Sequence, residues 1–156
     1  VEKGNPDSRC KLRLCHSIVA KKTFLPDGKK KSSMATILLI DDEEAMRVWM
    51  SQYLEHAGYG VVTAEDGEEG SRKASNQRFD LVIVDILMPK KEGLETIADL
   101  RAQSQNLPII AMSGGGVLSS VEVLDIAETF GADATLEKPF TGQTLLERVD
   151  QILSRE

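Results

Sequence analysis

Two cysteines in 156 residues exclude a disulfide framework of the kind that staples small secreted domains. Cys10, Cys15 and His16 offer three metal-ligand groups, one short of the four that structural zinc takes. Aromatic residues make up only 4% of the chain and do not interleave with the basic ones, which argues against a base-stacking nucleic-acid surface. No apolar stretch approaches the ~18 residues of a membrane span. The longest apolar run near the start is Ile18 to Ala20, too short for a signal peptide. The expectation is a cytoplasmic chain with no membrane partner. What the chain does have is 41% hydrophobic content, enough for one core of ordinary size.

Charge is unevenly spread. Residues 1–33 hold nine Lys or Arg and three acids, which leaves ten basic and 22 acidic residues in 34–156, a net of −12 there against −6 for the whole chain. An acidic body repels nucleic acid and favours cations or basic partner surfaces, so direct DNA binding by 34–156 is not expected. The front stretch, VEKGNPDSRCKLRLCHSIVAKKTFLPDGKKKSS, has no sustained period. It reads as a disordered basic leader, a cloning remnant or an upstream translated stretch, with the domain proper at 34–156.

From Met34 the pattern alternates between short apolar runs and helical stripes. Strands are expected at Thr36–Ile40, Gly60–Ala64, Leu81–Val84, Ile109–Met112 and Ala134–Leu136. The first helix is expected over Glu44–Ala57, with apolar positions 45, 46, 49, 50, 53, 54 and 57 in one stripe. A weak helix follows near Glu68–Ser75 and another over Leu94–Ala102. The fourth starts near Ser119, where Ser119 and Glu122 make a capping box, and runs to Phe130. The last follows Thr141, with Leu145, Leu146, Val149, Ile152 and Leu153 on one face. Buried strands alternating with amphipathic helices predict an α/β fold with a parallel sheet covered on both faces. Ligands in such folds bind beyond the carboxyl ends of the strands.

The residues at those ends carry the chemistry. Asp41 and Asp42 follow the first strand, Asp85 the third, Ser113 and Gly114 to Gly116 the fourth, and Lys138 with Pro139 the fifth. Each has an ordinary explanation alone, such as a helix cap or a turn. Together they do not. Two unit charges about 4 Å apart repel by ~4 kcal/mol at an effective dielectric of about 20, so three carboxylates at one edge call for cations. Lys138 supplies one. A hard divalent ion with oxygen ligands, Mg²⁺, suits the rest. This is a phosphoryl-transfer layout. Asp85 is the expected nucleophile, Lys138 and Mg²⁺ neutralise phosphoryl oxygens, and Ser113 with a backbone N–H of the glycine loop donates to another.

Four stretches, ILLIDDEE, DLVIVDILMPKKEG, LPIIAMSGGG and GADATLEKPF, resemble in order the signature stretches of bacterial response-regulator receiver domains. The likeness covers Met34 to Glu156. It implies a five-stranded flavodoxin-like fold with strand order 2-1-3-4-5. It further implies Asp85 as phosphoacceptor, Asp42 as a direct Mg²⁺ ligand and Asp41 as one acting mainly through water. The Leu87 carbonyl would be a further ligand, Ser113 the switch hydroxyl and Lys138 the phosphate-binding lysine. Lys138–Pro139 would be cis. The implied partners are a sensor histidine kinase or phosphotransfer protein and an unidentified downstream protein. Two departures stand out: Thr135 occupies the position where many receivers carry Tyr or Phe, and three glycines follow Ser113.

Two other functions compete. A haloacid-dehalogenase-type phosphatase also uses a strand-end Asp but wants a second acid two residues on, where this chain has Leu87. A nucleotide-binding module is suggested faintly by SGGGVLSS, which follows the wrong strand and comes without a Walker lysine. The reading is a stand-alone receiver that is not a turnover enzyme on small substrates.

Overall fold

The computed structural model describes residues 34–88, 93–114 and 120–155, the side chains of 120–124 excepted. The leader at 1–33, Gly115 and Gly116, Pro89 and the Ser119–Glu122 cap lie outside the described residues.

Five strands and five helices alternate. They are β1 (Thr36–Ile40), α1 (Glu44–His56), β2 (Gly60–Ala64), α2 (Gly67–Asn76) and β3 (Leu81–Asp85), then α3 (Gly93–Gln103), β4 (Ile109–Ser113), α4 (Ser120–Thr129), β5 (Ala134–Glu137) and α5 (Gly142–Leu153). The strands form one sheet in the order β2-β1-β3-β4-β5. All four pairings are parallel, with Ile40 opposite both Ala64 and Val84, and Asp85 opposite Met112. This is the doubly wound, flavodoxin-like arrangement, in which the sheet changes direction between β1 and β3.

Alternation along each strand splits the core into two layers. Leu38, Ile40, Val82, Val84, Ile109 and Ala111 face one side, with Ile97, Leu100 and Ala127 from α3 and α4. Ile37, Leu39, Leu81, Ile83, Ile110 and Met112 face the other, with Met50, Leu54, Leu145, Val149 and Ile152 from α1 and α5. β3 and β4 are buried throughout, and β1 is buried beyond Thr36, which explains why they read as continuous apolar runs.

Two expectations need amending, and a third is met more fully than its weak pattern suggested. Asp85 and Ser113 are the last residues of their strands rather than the first beyond them, so the ladder itself fixes their backbones. The α1 stripe is narrower than its sequence suggests, because Met50 and Leu54 are buried while Trp49 and Tyr53 are each 37% exposed. Those two rings lie at the flank of the layer, where Trp49 packs against both Tyr53 and Phe140 at centroid distances of 6.0 Å. Finally, the weakly patterned α2 is a full helix. Its N-terminus is capped twice: Asp66 accepts from the Glu69 N–H (2.8 Å), and the Glu69 carboxylate accepts from the Glu65 N–H (2.9 Å). Gly70 lets it lie close to β1, since a Cβ there would come within 2.3 Å of Ile40 Cδ1.

Candidate functional site

The carboxyl ends of β1, β3, β4 and β5 bring the expected groups together. Asp41 and Asp85 are buried at 0% and 6% exposure, and Asp42 is exposed. One oxygen from each of the three lies within 4.8 Å of the others. Lys138 reaches across from β5, its ammonium 2.9 Å from Asp41 Oδ2 and 2.6 Å from Asp85 Oδ2. It therefore straddles two buried carboxylates from two other strands.

Each acid also accepts from the backbone two residues on. The Glu43 N–H donates to Asp41 Oδ1 at 2.9 Å, and the Leu87 N–H to Asp85 Oδ1 at 3.0 Å. Such turns are typical of Asp at the exit of a regular element. They leave one oxygen of each carboxylate for Lys138. Burial pushes the Asp85 carboxyl above its ordinary range, against the pull of Lys138. Burial alone would lower the Lys138 ammonium, but its bonds to Asp85 and Asp41 outweigh that and hold it above its usual value. The same contact thus pulls against burial at both groups.

Ser113 ends β4 at 1% exposure, and its hydroxyl has no hydrogen-bond partner among the described residues. A buried hydroxyl without a partner costs about 1–3 kcal/mol, a cost that a ligand oxygen accepting from it would relieve. Gly114 follows it. A Cβ at Gly114 would lie 2.6 Å from Lys138 Cβ, and the Lys138 N–H donates to the Ser113 carbonyl at 2.7 Å. The β4 and β5 exits are thus locked together where Ser113 and Lys138 emerge. The Lys138–Pro139 bond is cis.

Two contributors were missed in the sequence. Arg47, on the first turn of α1, donates to the Asp41 carbonyl at 2.5 Å and ties the helix to the acid pair. Only its place one turn beyond Asp42 hinted at this. Gly93 opens α3 against the end of β3, where a Cβ would meet the Asp85 carbonyl oxygen at 2.1 Å. A glycine shortly after a strand-end aspartate was the available signal. Leu87 is 44% exposed at the rim.

The donor set fits a hard divalent cation. It is all oxygen and carries net negative charge even with Lys138 present, and exposed Asp42 leaves room for water and ligand oxygens.

Residues 37–150 match the family model of the response regulator receiver domain. The chain belongs to that family. It is 36% identical over 121 residues to the alkaline phosphatase synthesis transcriptional regulatory protein PhoP of Bacillus subtilis, covering 76% of this chain and 48% of that protein. It is 35% identical over 122 residues to the transcriptional regulatory protein CpxR of Escherichia coli, covering 78% and 50%. Among solved structures, chemotaxis protein CheY4 of Vibrio cholerae superposes with a TM-score of 0.70 at 35% identity, covering 77% of this chain and 99% of that one. A receiver domain from Clostridium thermocellum gives 0.73 at 30% identity, covering 78% and 96%. The chain spans about half the length of the curated relatives it matches. Receiver domains belong to two-component signalling, and phosphorylation and Mg²⁺ binding are general to them. No described helix is long and apolar enough to cross a membrane.

Proposed function

We propose that this chain takes a phosphoryl group onto Asp85 from a phosphohistidine of a sensor kinase or phosphotransfer protein, and that the change alters a protein-binding surface. The observation that carries this reading is the meeting of Asp41, Asp42 and Asp85 within 4.8 Å under an ammonium that bonds two of them.

Asp85 reacts as the carboxylate that Lys138 sustains, so it has no proton to lose. As its oxygen bonds to phosphorus, the donor's N–P bond breaks and the imidazole leaves with that electron pair. Lys138 stays beside the acyl oxygen and gains the phosphoryl oxygens as new acceptors. The Ser113 hydroxyl supplies a further donor, and the Gly114 backbone N–H is the next in line. Asp41 and Asp42, with Asp85 and the Leu87 carbonyl, would hold Mg²⁺, which when bound offsets the charge on the transferred group. Leu87 stands two residues beyond the nucleophile and has no acid to offer a leaving alcohol. This favours a self-modifying switch over turnover of small phosphate esters.

The test is intact mass after acetyl phosphate and Mg²⁺. One phosphoryl group, labile to hydroxylamine, is expected on the native chain and none on Asp85→Asn. Unchanged labelling of the variant would remove the assignment. The domain is proposed to be residues 34–156. A chain beginning at Met34 is expected to keep its melting temperature and its labelling, and a clear loss of either would move that boundary.

A further inference from the structure

Every polar atom of Asp41 is held. Its N–H donates to the Ala64 carbonyl at 3.2 Å, which carries the β1–β2 ladder one residue past β1. Its Oδ1 accepts from the Glu43 N–H, its Oδ2 from the Lys138 ammonium and its carbonyl oxygen from Arg47. Asp42 is the opposite case. Its carboxylate is exposed, and among the described residues nothing donates to it. Even so, one of its oxygens lies within 4.8 Å of an oxygen of Asp41 and one of Asp85. With no side-chain partner, that carboxylate is placed through its backbone, by the peptide that joins it to Asp41. The oxygen of that peptide is the Asp41 carbonyl, the atom that Arg47 holds at 2.5 Å.

Arg47 is itself well anchored. Its N–H donates to the Glu43 carbonyl at 2.9 Å, which fixes it in the first turn of α1. Met50 and Leu54 lie three and seven positions on, along the same helix face, and both are fully buried against the sheet. The face that seats α1 therefore carries the half-buried Arg47 to the exit of β1. Four acids, Asp41, Asp42, Glu43 and Glu44, precede it. Among the described residues its guanidinium pairs with none of their carboxylates and donates to a main-chain oxygen instead. A cation that passes over neighbouring carboxylates for a carbonyl acts on geometry more than on charge. A planar guanidinium suits that role, because its donors are fixed in a fork.

We infer that Arg47 is a positioning residue that braces the Asp41–Asp42 peptide and thereby makes the cation site prefer Mg²⁺ over Ca²⁺. The inference rests on the receiver reading and adds to it the residue that sets the choice of ion. Mg²⁺ demands near-octahedral oxygens at about 2.0–2.1 Å, whereas Ca²⁺ accepts about six to eight at about 2.3–2.6 Å in flexible arrangements. A brace on the backbone between the two acids therefore matters to the smaller ion and little to the larger. As a nearby positive charge, by contrast, Arg47 repels both divalent ions alike. The two effects differ in sign: losing the charge tightens the binding of both ions, and losing the brace weakens that of Mg²⁺.

The test is calorimetric titration of the full chain with MgCl₂ and, separately, with CaCl₂, on the native protein, Arg47→Met and Arg47→Lys. Arg47→Met should weaken Mg²⁺ binding by about tenfold and Ca²⁺ binding by about threefold or less, so that the preference for Mg²⁺ falls by about threefold or more. Arg47→Lys keeps the charge and one donor and should recover part of that preference. The ratio of the two affinities is the deciding quantity, because a loosened fold lowers both alike and a lost charge raises both alike. An equal change in the two affinities, tighter Mg²⁺ binding by Arg47→Met, or no recovery in Arg47→Lys would each overturn the role. A native chain that binds no Mg²⁺ overturns this role together with the receiver reading beneath it. Native binding of Mg²⁺ with an unchanged ratio in Arg47→Met overturns the role alone.

Discussion

Replacing Lys138 with Met in metal-free solution should destabilise the fold more than any change at the exposed acids. The ammonium sits 2.9 Å from Asp41 and 2.6 Å from Asp85, with only 15% of its own side chain exposed. Each contact corresponds to roughly 6 kcal/mol of Coulomb attraction at an effective dielectric of about 20. Most of that is offset by the desolvation of all three groups. What remains after truncation is the cost of stranding buried carboxylates, about 3–5 kcal/mol. For a domain of this size that lowers the melting temperature by roughly 12–20 °C. Urea unfolding in EDTA measures it. Adding Mg²⁺ should restore part of the loss, about 2.7 kcal/mol at a hundredfold excess over Kd, because the ion supplies charge where the lysine did. Asp85→Asn should behave oppositely. Burial raises the Asp85 carboxyl, so its ionised form costs stability in the fold. A neutral amide relieves that while Lys138 keeps Asp41. A loss below about 1 kcal/mol for Lys138→Met in EDTA would mean that the cluster is screened like a surface pair, and the argument for a poised anionic site would fail.

Asp42→Ala should abolish Mg²⁺ binding by calorimetry and the thermal stabilisation that Mg²⁺ gives; retained affinity would contradict its role as a ligand. Gly93→Ala places a methyl 2.1 Å from the Asp85 carbonyl oxygen and 2.5 Å from Ile86 Cα, both backbone atoms, and should cost about 1–3 kcal/mol and slow labelling of Asp85. An unchanged melting temperature would show that α3 can shift freely. The Tyr59 hydroxyl donates to Asp150, and burial, with that bond and the Asp150 charge, lifts the phenol well above its ordinary range. The folded phenol keeps its proton while the unfolded one loses it above about pH 10. Stability is therefore full below pH 10 and falls as pH rises beyond it. Tyr59→Phe should lose about 1 kcal/mol at neutral pH and flatten that alkaline fall; an identical pH profile would refute the linkage.

Much of this protein is local, and the chain alone determined it. The period-two and period-3.6 patterns fixed ten elements to within a residue or two, since burial on a sheet or a helix stripe dictates residue type position by position. Chemistry-bearing residues at the ends of four of the five apolar runs pointed to one candidate edge, because a parallel sheet aligns the carboxyl ends of its strands. The resemblance to receivers then supplied the strand order that the sheet shows. Tertiary structure decided what depends on residues distant in sequence. Lys138 pairs with Asp41 across 97 positions and with Asp85 across 53, and no local pattern encodes which oxygens it takes. That Ser113 is buried with no hydroxyl partner among the described residues follows from its place at the end of β4, between β3 and β5. The requirement for glycine at 93 and 114 comes from the approach of another segment's backbone or side chain. The exposure of Trp49 and Tyr53 also escaped the sequence. A helical stripe says which side chains share a face, but only the packed sheet sets how much of that face it covers.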